Sequence, residues 1–231
     1  MSDYRFFPRI LTLATLAVAV CCQAQTTLVC NIRTFDAPSG SSLRPLVNAL
    51  GINRYGNIVG QAANAKGYVR FTDGRVQKLP VNITGFPYVH PYKRNASGVT
   101  VGFADNSTGT SRGWILSGST VKVFSVSGYS HVSLSGINRY GTVVGNLVSL
   151  SPAVNNGFVY KNGILTKLPI KVAFRVTGIS DTGVIVGDYV NNTNPQPFDN
   201  THGFIYANGT FKDFSVPWAS TTFITDINAT G

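Results

Sequence analysis

The segment NRYGNIVG at residues 53–60 decides the interpretation of this sequence, because it recurs along the chain. Further copies are NASGVTVG at 95–102, NRYGTVVG at 138–145 and SDTGVIVG at 180–187, and a fifth begins with NATG at 228–231. The closing glycines of the four full copies lie 42, 43 and 42 residues apart. Recurrence at about 20–50 residues is the signature of a repeat protein in which each unit is one supersecondary structure.

The motif itself predicts a β-hairpin. Its first residue, Asn or in one copy Ser, suits the first position of a type I turn, since the side chain accepts a backbone N–H two residues later. The glycine at the fourth position, such as Gly56, supplies left-handed backbone that lets the next strand restart with a bulge. Ile, Val and Thr on either side favour strands. Each motif therefore indicates a first strand, a tight turn and a second strand.

A second hairpin follows each motif. Its third strand opens with Gly and an aromatic residue, as in GYVRF at 67–71, and its turn holds a pair such as DG at 73–74 or NG at 162–163. Asp-Gly and Asn-Gly between apolar runs are strong hairpin signals. The predicted fourth strands are 76–79, 121–124, 164–168 and 211–214.

Four antiparallel strands in every unit predict an all-β, β-propeller-like repeat of four-stranded antiparallel blades. About four full blades are expected, with partial ends. A β-solenoid is the alternative architecture, although its repeats are usually shorter and lack two tight hairpins each.

The two ends of the repeat are expected to be incomplete. Residues 28–35 are interpreted as an isolated fourth strand and 222–228 as an isolated first strand. A blade shared between these ends would lack its two middle strands and would expose strand edges. We therefore expect 25–231 to form a single β-repeat domain that is truncated at its C-terminus.

The first 24 residues are predicted to be a signal peptide. Arg5 and Arg9 precede an apolar stretch at 10–20 that is short for a membrane span, and small residues up to Ala24 suit cleavage. A lipid anchor at Cys21 is an alternative that the preceding Val fits poorly. The mature chain is expected to be secreted, extracellular or periplasmic, with no membrane span. Cleavage would leave Cys30 alone, so no internal disulfide is expected.

Charge and missing motifs exclude several function classes. The net charge is +10, but the longest basic run is Lys93-Arg94, and nucleic-acid binders usually cluster their charge, so no nucleic acid is expected as a partner. General attraction to anionic surfaces or polysaccharides is compatible with this charge.

All nine acidic residues are Asp, and no catalytic or phosphate-binding motif occurs. Neither a cofactor nor a metal is expected, and the oxygen-rich loops at 105–109 and 188–199 suit polar turns better than calcium sites.

The pattern Gly-Ile-Asn-x-x-Gly-x-x-Val-Gly, followed by a Gly-aromatic strand, resembles the HAF-type extracellular repeat of exported bacterial proteins. The His-Ala-Phe triplet of that family is matched most nearly by HGF at 202–204, whereas Lys66, Arg112 and Asn156 replace the His in the other copies. The resemblance covers most of residues 28–231. It implies export and a β-rich repeat fold, and it brings no established activity.

The connections between second and third strands, and between one unit and the next, should lie on one rim. Variable loops on one rim of a repeat protein often bind ligands. The candidate binding residues there are Tyr88, His90, Tyr92, Tyr129, His131, Asp188, Asp199, His202 and Trp218. Aromatic faces stack on sugars while carboxylates orient them, so a carbohydrate or cell-surface polymer is the candidate partner. The alternative role for these aromatics is to fill the packing between blades.

Together these observations predict an exported, non-catalytic repeat protein that serves as an extracellular binding or structural module. A propeller-type polysaccharide hydrolase or lyase, with its site on the same rim, is the alternative. Because the chain has no Glu, an acid/base pair in such an enzyme would have to be two Asp.

Overall fold

The computed structural model describes residues 34–37, 42, 46–150, 153–170, 174–190 and 201–231. The chain divides into two units, Met1–Phe35 and Asp36–Gly231, and the repeats belong to the second. The predicted signal peptide, Cys30 and most of the predicted strand at 28–35 lie outside the described residues. Within the described residues, no helix is long and apolar enough to cross a membrane.

The described residues form four antiparallel sheets of four strands each, and neighbouring strands follow the order of the chain. The first sheet holds β1 (Leu46–Ile52), β2 (Ile58–Ala62), β3 (Gly67–Arg70) and β4 (Val76–Lys78). The second holds β5 (Tyr88–Arg94), β6 (Thr100–Asp105), β7 (Ser111–Ser117) and β8 (Thr120–Phe124). The third holds β9 (His131–Ile137), β10 (Val143–Leu150), β11 (Ala153–Lys161) and β12 (Ile164–Lys167). The fourth holds β13 (Phe174–Ile179), β14 (Ile185–Val190), β15 (Thr201–Ala207) and β16 (Thr210–Phe214).

The predicted hairpins are confirmed in all four units. In the first, Oδ1 of Asn53 accepts the backbone N–H groups of Tyr55 and Asn57, each at 3.0 Å. The fourth-position glycines are left-handed, with φ of +77°, +81°, +79° and +86° at Gly56, Gly98, Gly141 and Gly183. The first-position residue and the fourth-position glycine of the motif therefore form the tight turn of each first hairpin, as predicted.

A buried aromatic residue in each third strand explains the closing glycine of the motif. Tyr68, Trp114, Phe158 and Phe204 are all at most 1% exposed. A Cβ on the closing glycine of the same unit would lie 2.6–2.8 Å from that aromatic side chain and 1.8–2.1 Å from a first-strand carbonyl oxygen. Only glycine fits this contact, so the closing glycine is required for packing, whereas the fourth-position glycine is required for the turn.

Apolar clusters join each sheet to the next along the chain. Val59 and Val69 of the first sheet pack with Trp114 of the second. Val101 of the second sheet packs with Phe158 of the third, and the third and fourth sheets are joined in the same way. The core is thus a series of layers between consecutive sheets, each closed by the aromatic residue of the later unit.

Residues 222–228 take the place of a first strand without forming one. They are not paired as a strand, although the N–H of Thr222 donates to the carbonyl of Thr201 in β15 at 2.8 Å, and the isolated strand expected there stays a prediction. Their position nevertheless matches a fifth unit, because Oγ1 of Thr177 in β13 donates to the carbonyl of Ile224 at 2.8 Å. The Ile224 side chain lies 2.8 Å from where a Cβ of Gly203 would be, just as Leu134 of the third sheet covers Gly113 of the second.

Candidate functional site

Turn asparagines connect the units at their first hairpins. The Nδ2 groups of Asn53, Asn95 and Asn138 each donate to the backbone carbonyl of the equivalent residue in the next unit, at 3.1–3.2 Å. Asn95 and Asn138 are buried. These bonds hold the first strands of successive units side by side, with equivalent residues at the same level.

In the fourth unit Ser180 replaces the asparagine, and a backbone bond replaces the side-chain one. The N–H of Asp181 donates to the carbonyl of Ala229 at 2.9 Å. The C-terminal segment is therefore joined to the fourth unit at the level where asparagines join the others.

Because the first strands are aligned, equivalent positions from all units line the same spaces. The residues three positions before the motif are Leu50, Tyr92, Ser135, Thr177 and Thr225, and all five line a cavity of 290 Å³, here named the loop-end cavity. The residues immediately before the motif are Ile52, Arg94, Ile137, Ile179 and Ile227, and all five line a cavity of 560 Å³ beside the turns, here named the turn-end cavity.

An ion pair lies where the two cavities meet. The position two residues before the motif is glycine in three units, at Gly51, Gly136 and Gly178, but it is Lys93 in the second unit and Asp226 in the C-terminal segment. The Lys93 Nζ donates to Oδ2 of Asp226. Lys93 lines both cavities. This pair connects the second unit to the C-terminal segment, 133 residues away in sequence.

Three hydroxyl groups in the loop-end cavity have no partner among the described residues. Tyr92, Ser133 and Thr225 line this cavity, and no described residue forms a hydrogen bond with their hydroxyl groups. Burial raises the pKa of the Tyr92 hydroxyl, so it stays protonated at neutral pH and remains a donor. These groups are free to bond to a ligand that carries its own hydroxyls.

A guanidinium group completes the loop-end cavity. Arg175, on β13, also lines it, and its side chain is 58% exposed. Its Nη2 donates to Oδ2 of Asp188 at 2.7 Å, and Nε contacts both carboxylate oxygens at 3.3 Å. Hydrogen bonding to Asp188 raises the pKa of Arg175. The bonds from Arg175 to Asp188 orient the guanidinium group. Asp188 is buried and therefore shielded from a ligand.

The predicted residues of the second sheet have separate environments. The ring of His90 stacks on Phe103 with centroids 4.4 Å apart, and its Nε2 lies 3.1 Å from Oδ1 of Asp105. Tyr92 packs against the same Phe103 ring at 5.4 Å, while Tyr88 is exposed at the start of β5. Of these predicted residues, Tyr92 lines the loop-end cavity, and the other two line neither of the two named cavities.

Tyr129, His131 and Trp218 lie away from both cavities. The Tyr129 hydroxyl accepts a hydrogen bond from Nδ2 of Asn156 at 2.9 Å, and the Nζ of Lys167 lies 4.9 Å from its ring centre. Nδ1 of His131 lies 2.8 Å from the Ser130 hydroxyl. Trp218 is 88% exposed in the segment after β16.

His202 belongs to a polar cluster on the fourth sheet. Its Nδ1 lies 2.7 Å from Oγ of Ser215, which donates to the Asp213 carboxylate at about 3.0 Å. Tyr189 donates to the same carboxylate at 2.8 Å, and burial together with this bond raises the pKa of Tyr189 to about 12. In a Ser-His-Asp triad the carboxylate bonds to the imidazole nitrogen opposite the serine. Here the carboxylate bonds to the serine itself, so the cluster lacks the geometry of an activated nucleophile.

The candidates were predicted to lie on the rim that carries the connecting loops, and their role in binding stays a prediction. Six lie within strands: Tyr88, His90, Tyr92, His131, Asp188 and His202. Tyr129 and Trp218 lie in connections, and Asp199 lies outside the described residues. In the third unit the extra residues lengthen β10 and β11 and leave only 151–152 between them. Long strands therefore replace the long loop that the spacing predicted.

The basic residues of the turn-end cavity are not among the residues that the sequence predicted for a site. Four cations that seemed scattered along the chain, Arg54, Lys93, Arg94 and Arg139, line this one space. They come together because each occupies a position close to the motif, and the repeat brings those positions to the same level. The signal that could have revealed them is the tetrapeptide NRYG, which occurs at both 53–56 and 138–141.

Comparison with protein-family models and with curated proteins finds no match for this chain. Among the residues that the structure describes, no group of three or more His, Cys or Asp is placed to hold a metal ion. The two cavities and the charges around them therefore carry the functional interpretation.

Proposed function

We propose that this chain is an exported, non-catalytic binding module that takes a carbohydrate, as part of a cell-surface polymer, in the loop-end cavity. Its four sheets would be arranged like the blades of a propeller, with the C-terminal segment as the first strand of a fifth. Support for that arrangement comes from the five equivalent positions that line each cavity. Export and a place among HAF-type repeats are part of the same proposal and rest on the leader and the repeated motif.

The observation that carries the proposal is that several polar side chains line the same cavity as the aromatic ring of Tyr92. The cavity offers the hydroxyls of Tyr92, Ser133 and Thr225 together with the oriented guanidinium of Arg175. Sugars present several hydroxyl groups and an apolar face, and binding sites pair these with a few placed polar groups and an aromatic side chain. The cavity volume of 290 Å³ suits a small portion of such a polymer rather than an extended chain.

The polysaccharide hydrolase or lyase alternative has less support. Glycosidases of the common type need two carboxyl groups about 5–10 Å apart, at least one of them free to exchange a proton. The two cations that line the cavity, Arg175 and Lys93, are bound to the carboxylates of Asp188 and Asp226. Both are thus committed to cations, which favours binding without turnover.

A glycan array followed by calorimetry on the intact chain tests the proposal. For a carbohydrate that binds, Tyr92→Phe is expected to weaken binding about tenfold, because it removes one hydrogen bond inside a partly desolvated cavity. Tyr88→Phe is the matched control, since Tyr88 is an exposed tyrosine on the same strand outside the cavity, and it should leave affinity unchanged. Equal losses in both variants, no carbohydrate bound, or a product released in parallel turnover assays would contradict the proposal.

A further inference from the structure

The turn-end cavity has an excess of positive charge. Arg54, Lys93, Arg94 and Arg139 line it, against the carboxylates of Asp181 and Asp226. Each carboxylate already has a cation: Asp226 is bound to Lys93, and Oδ2 of Asp181 lies 3.7 Å from Nε of Arg139. Two guanidinium groups are left over.

Neither Arg54 nor Arg94 has a carboxylate partner among the residues that the structure describes. Arg94 is half-buried and donates from Nη1 to Oγ1 of Thr100 at 2.8 Å, while its buried Nε has no hydrogen-bond partner in the described part of the chain. A guanidinium that loses water without gaining an anion is unfavourable, and a bound anion offsets that cost.

Arg54 and Arg139, which also line the cavity, each stack on the tyrosine that follows them in the chain. Arg54 lies over the ring of Tyr55 at 4.9 Å, and Arg139 lies over the ring of Tyr140 at 4.6 Å. Stacking on an aromatic face restricts the guanidinium group. The Nη2 of Arg139 also donates to the Tyr140 hydroxyl, whereas the Arg54 guanidinium has no hydrogen bond to any described residue and keeps its N–H edges open. Such planar, forked donors fit the paired oxygens of a carboxylate or sulfate better than a lysine does.

We infer that the turn-end cavity is a second binding site, which takes the oxyanion group of an acidic polysaccharide. The class of ligand follows from the two uncompensated guanidinium groups and from a volume of 560 Å³, which accommodates a sugar residue with its charged substituent. Carboxylate and sulfate share the chemistry that arginine recognises, and probes of each kind distinguish them. The Lys93–Asp226 pair separates this site from the loop-end cavity, so the two sites are testable independently.

Calorimetry on the intact chain at low and physiological salt tests the inference, with trigalacturonate, a sulfated trisaccharide and a neutral trisaccharide as probes. At least one anionic probe should bind, more weakly at higher salt, and the neutral probe should not bind at this site. Arg54→Gln is expected to weaken that binding about tenfold, because one charge-assisted contact is lost. Arg54→Lys should fall between, since it keeps the charge and loses the fork.

A control variant makes the result specific to this cavity. Lys212→Gln removes the same charge from an exposed position on β16 and should leave the affinity unchanged. The inference is overturned if no anionic probe binds, if neutral and anionic probes bind equally, or if Lys212→Gln weakens binding as much as Arg54→Gln does.

Discussion

The space between consecutive sheets and the cavities lined by their first strands follow opposite rules. Between sheets the same residue types return in every unit, with a glycine against a buried aromatic ring each time. Around the loop-end cavity, equivalent positions hold five residues of differing size and polarity: Leu50, Tyr92, Ser135, Thr177 and Thr225. Close packing admits few solutions, so it repeats, whereas a cavity wall is free to vary. A varied wall on a repeated frame presents an asymmetric surface, which is what selective binding requires.

The largest expected effect comes from a substitution that disrupts the repeated packing of a closing glycine against a buried aromatic ring. A Cβ on Gly102 would lie 2.0 Å from the carbonyl oxygen of His90 and 2.8 Å from the Trp114 ring, so strands must separate to admit it. We expect Gly102→Ala to lower the free energy of unfolding by about 3 kcal/mol or more. Urea denaturation followed by tryptophan fluorescence measures the loss.

Gly109→Ala is the matched control for that substitution. Gly109 has a φ of +75° and nothing within 4 Å of its would-be Cβ, so only backbone strain of about 1–2 kcal/mol is expected. If the two variants were equally destabilised, the closing glycine would have no special packing role.

A smaller effect is expected when serine is replaced by alanine. One such serine lies between two sheets and another lines the loop-end cavity, so the two substitutions compare packing with lining positions. Ser111 is buried between the second and third sheets, where its Oγ bonds to both the N–H and the carbonyl of Val132 at 3.2–3.3 Å. Ser111→Ala should cost about 1–2 kcal/mol, because those groups lose a partner. Ser133 lines the cavity with an unpartnered hydroxyl, and Ser133→Ala should cost less than about 0.5 kcal/mol.

Thermal and urea unfolding of the two serine variants provide the measurement, with Ser133→Ala as the internal control for Ser111→Ala. A Ser133→Ala variant that loses as much stability as Ser111→Ala would show that the cavity wall belongs to the frame. The distinction between packing and lining positions would then fail.

The sequence alone predicted the frame well because its signals are local. A turn asparagine, a left-handed glycine and alternating apolar residues act within about ten residues of one another, so Asn53 and Gly56 could be assigned roles without tertiary information. The closing glycine was recognised as a landmark only. Its purpose depends on an aromatic ring in another strand.

Less of the candidate site could be predicted from the sequence, because its signals are not local. Loop length suggested a rim, but the third unit converts its extra residues into strand pairing between β10 and β11. Asp188 was taken for a ligand-facing group, and its burial beneath Arg175 depends on neighbours that the sequence does not reveal. Lys93 and Asp226 are 133 residues apart, and only the alignment of first strands brings them together.

The position of the C-terminal segment beside the second unit is the most direct test of how the first strands are arranged. Treating the intact chain with a carbodiimide joins a lysine amine to a carboxylate only where the two are in contact, and mass spectrometry of the digest identifies the linked peptides. We predict an isopeptide link between Lys93 and Asp226, lost in Asp226→Asn. If linked peptides formed elsewhere in the protein while this one was absent, the first strands would not surround a common space.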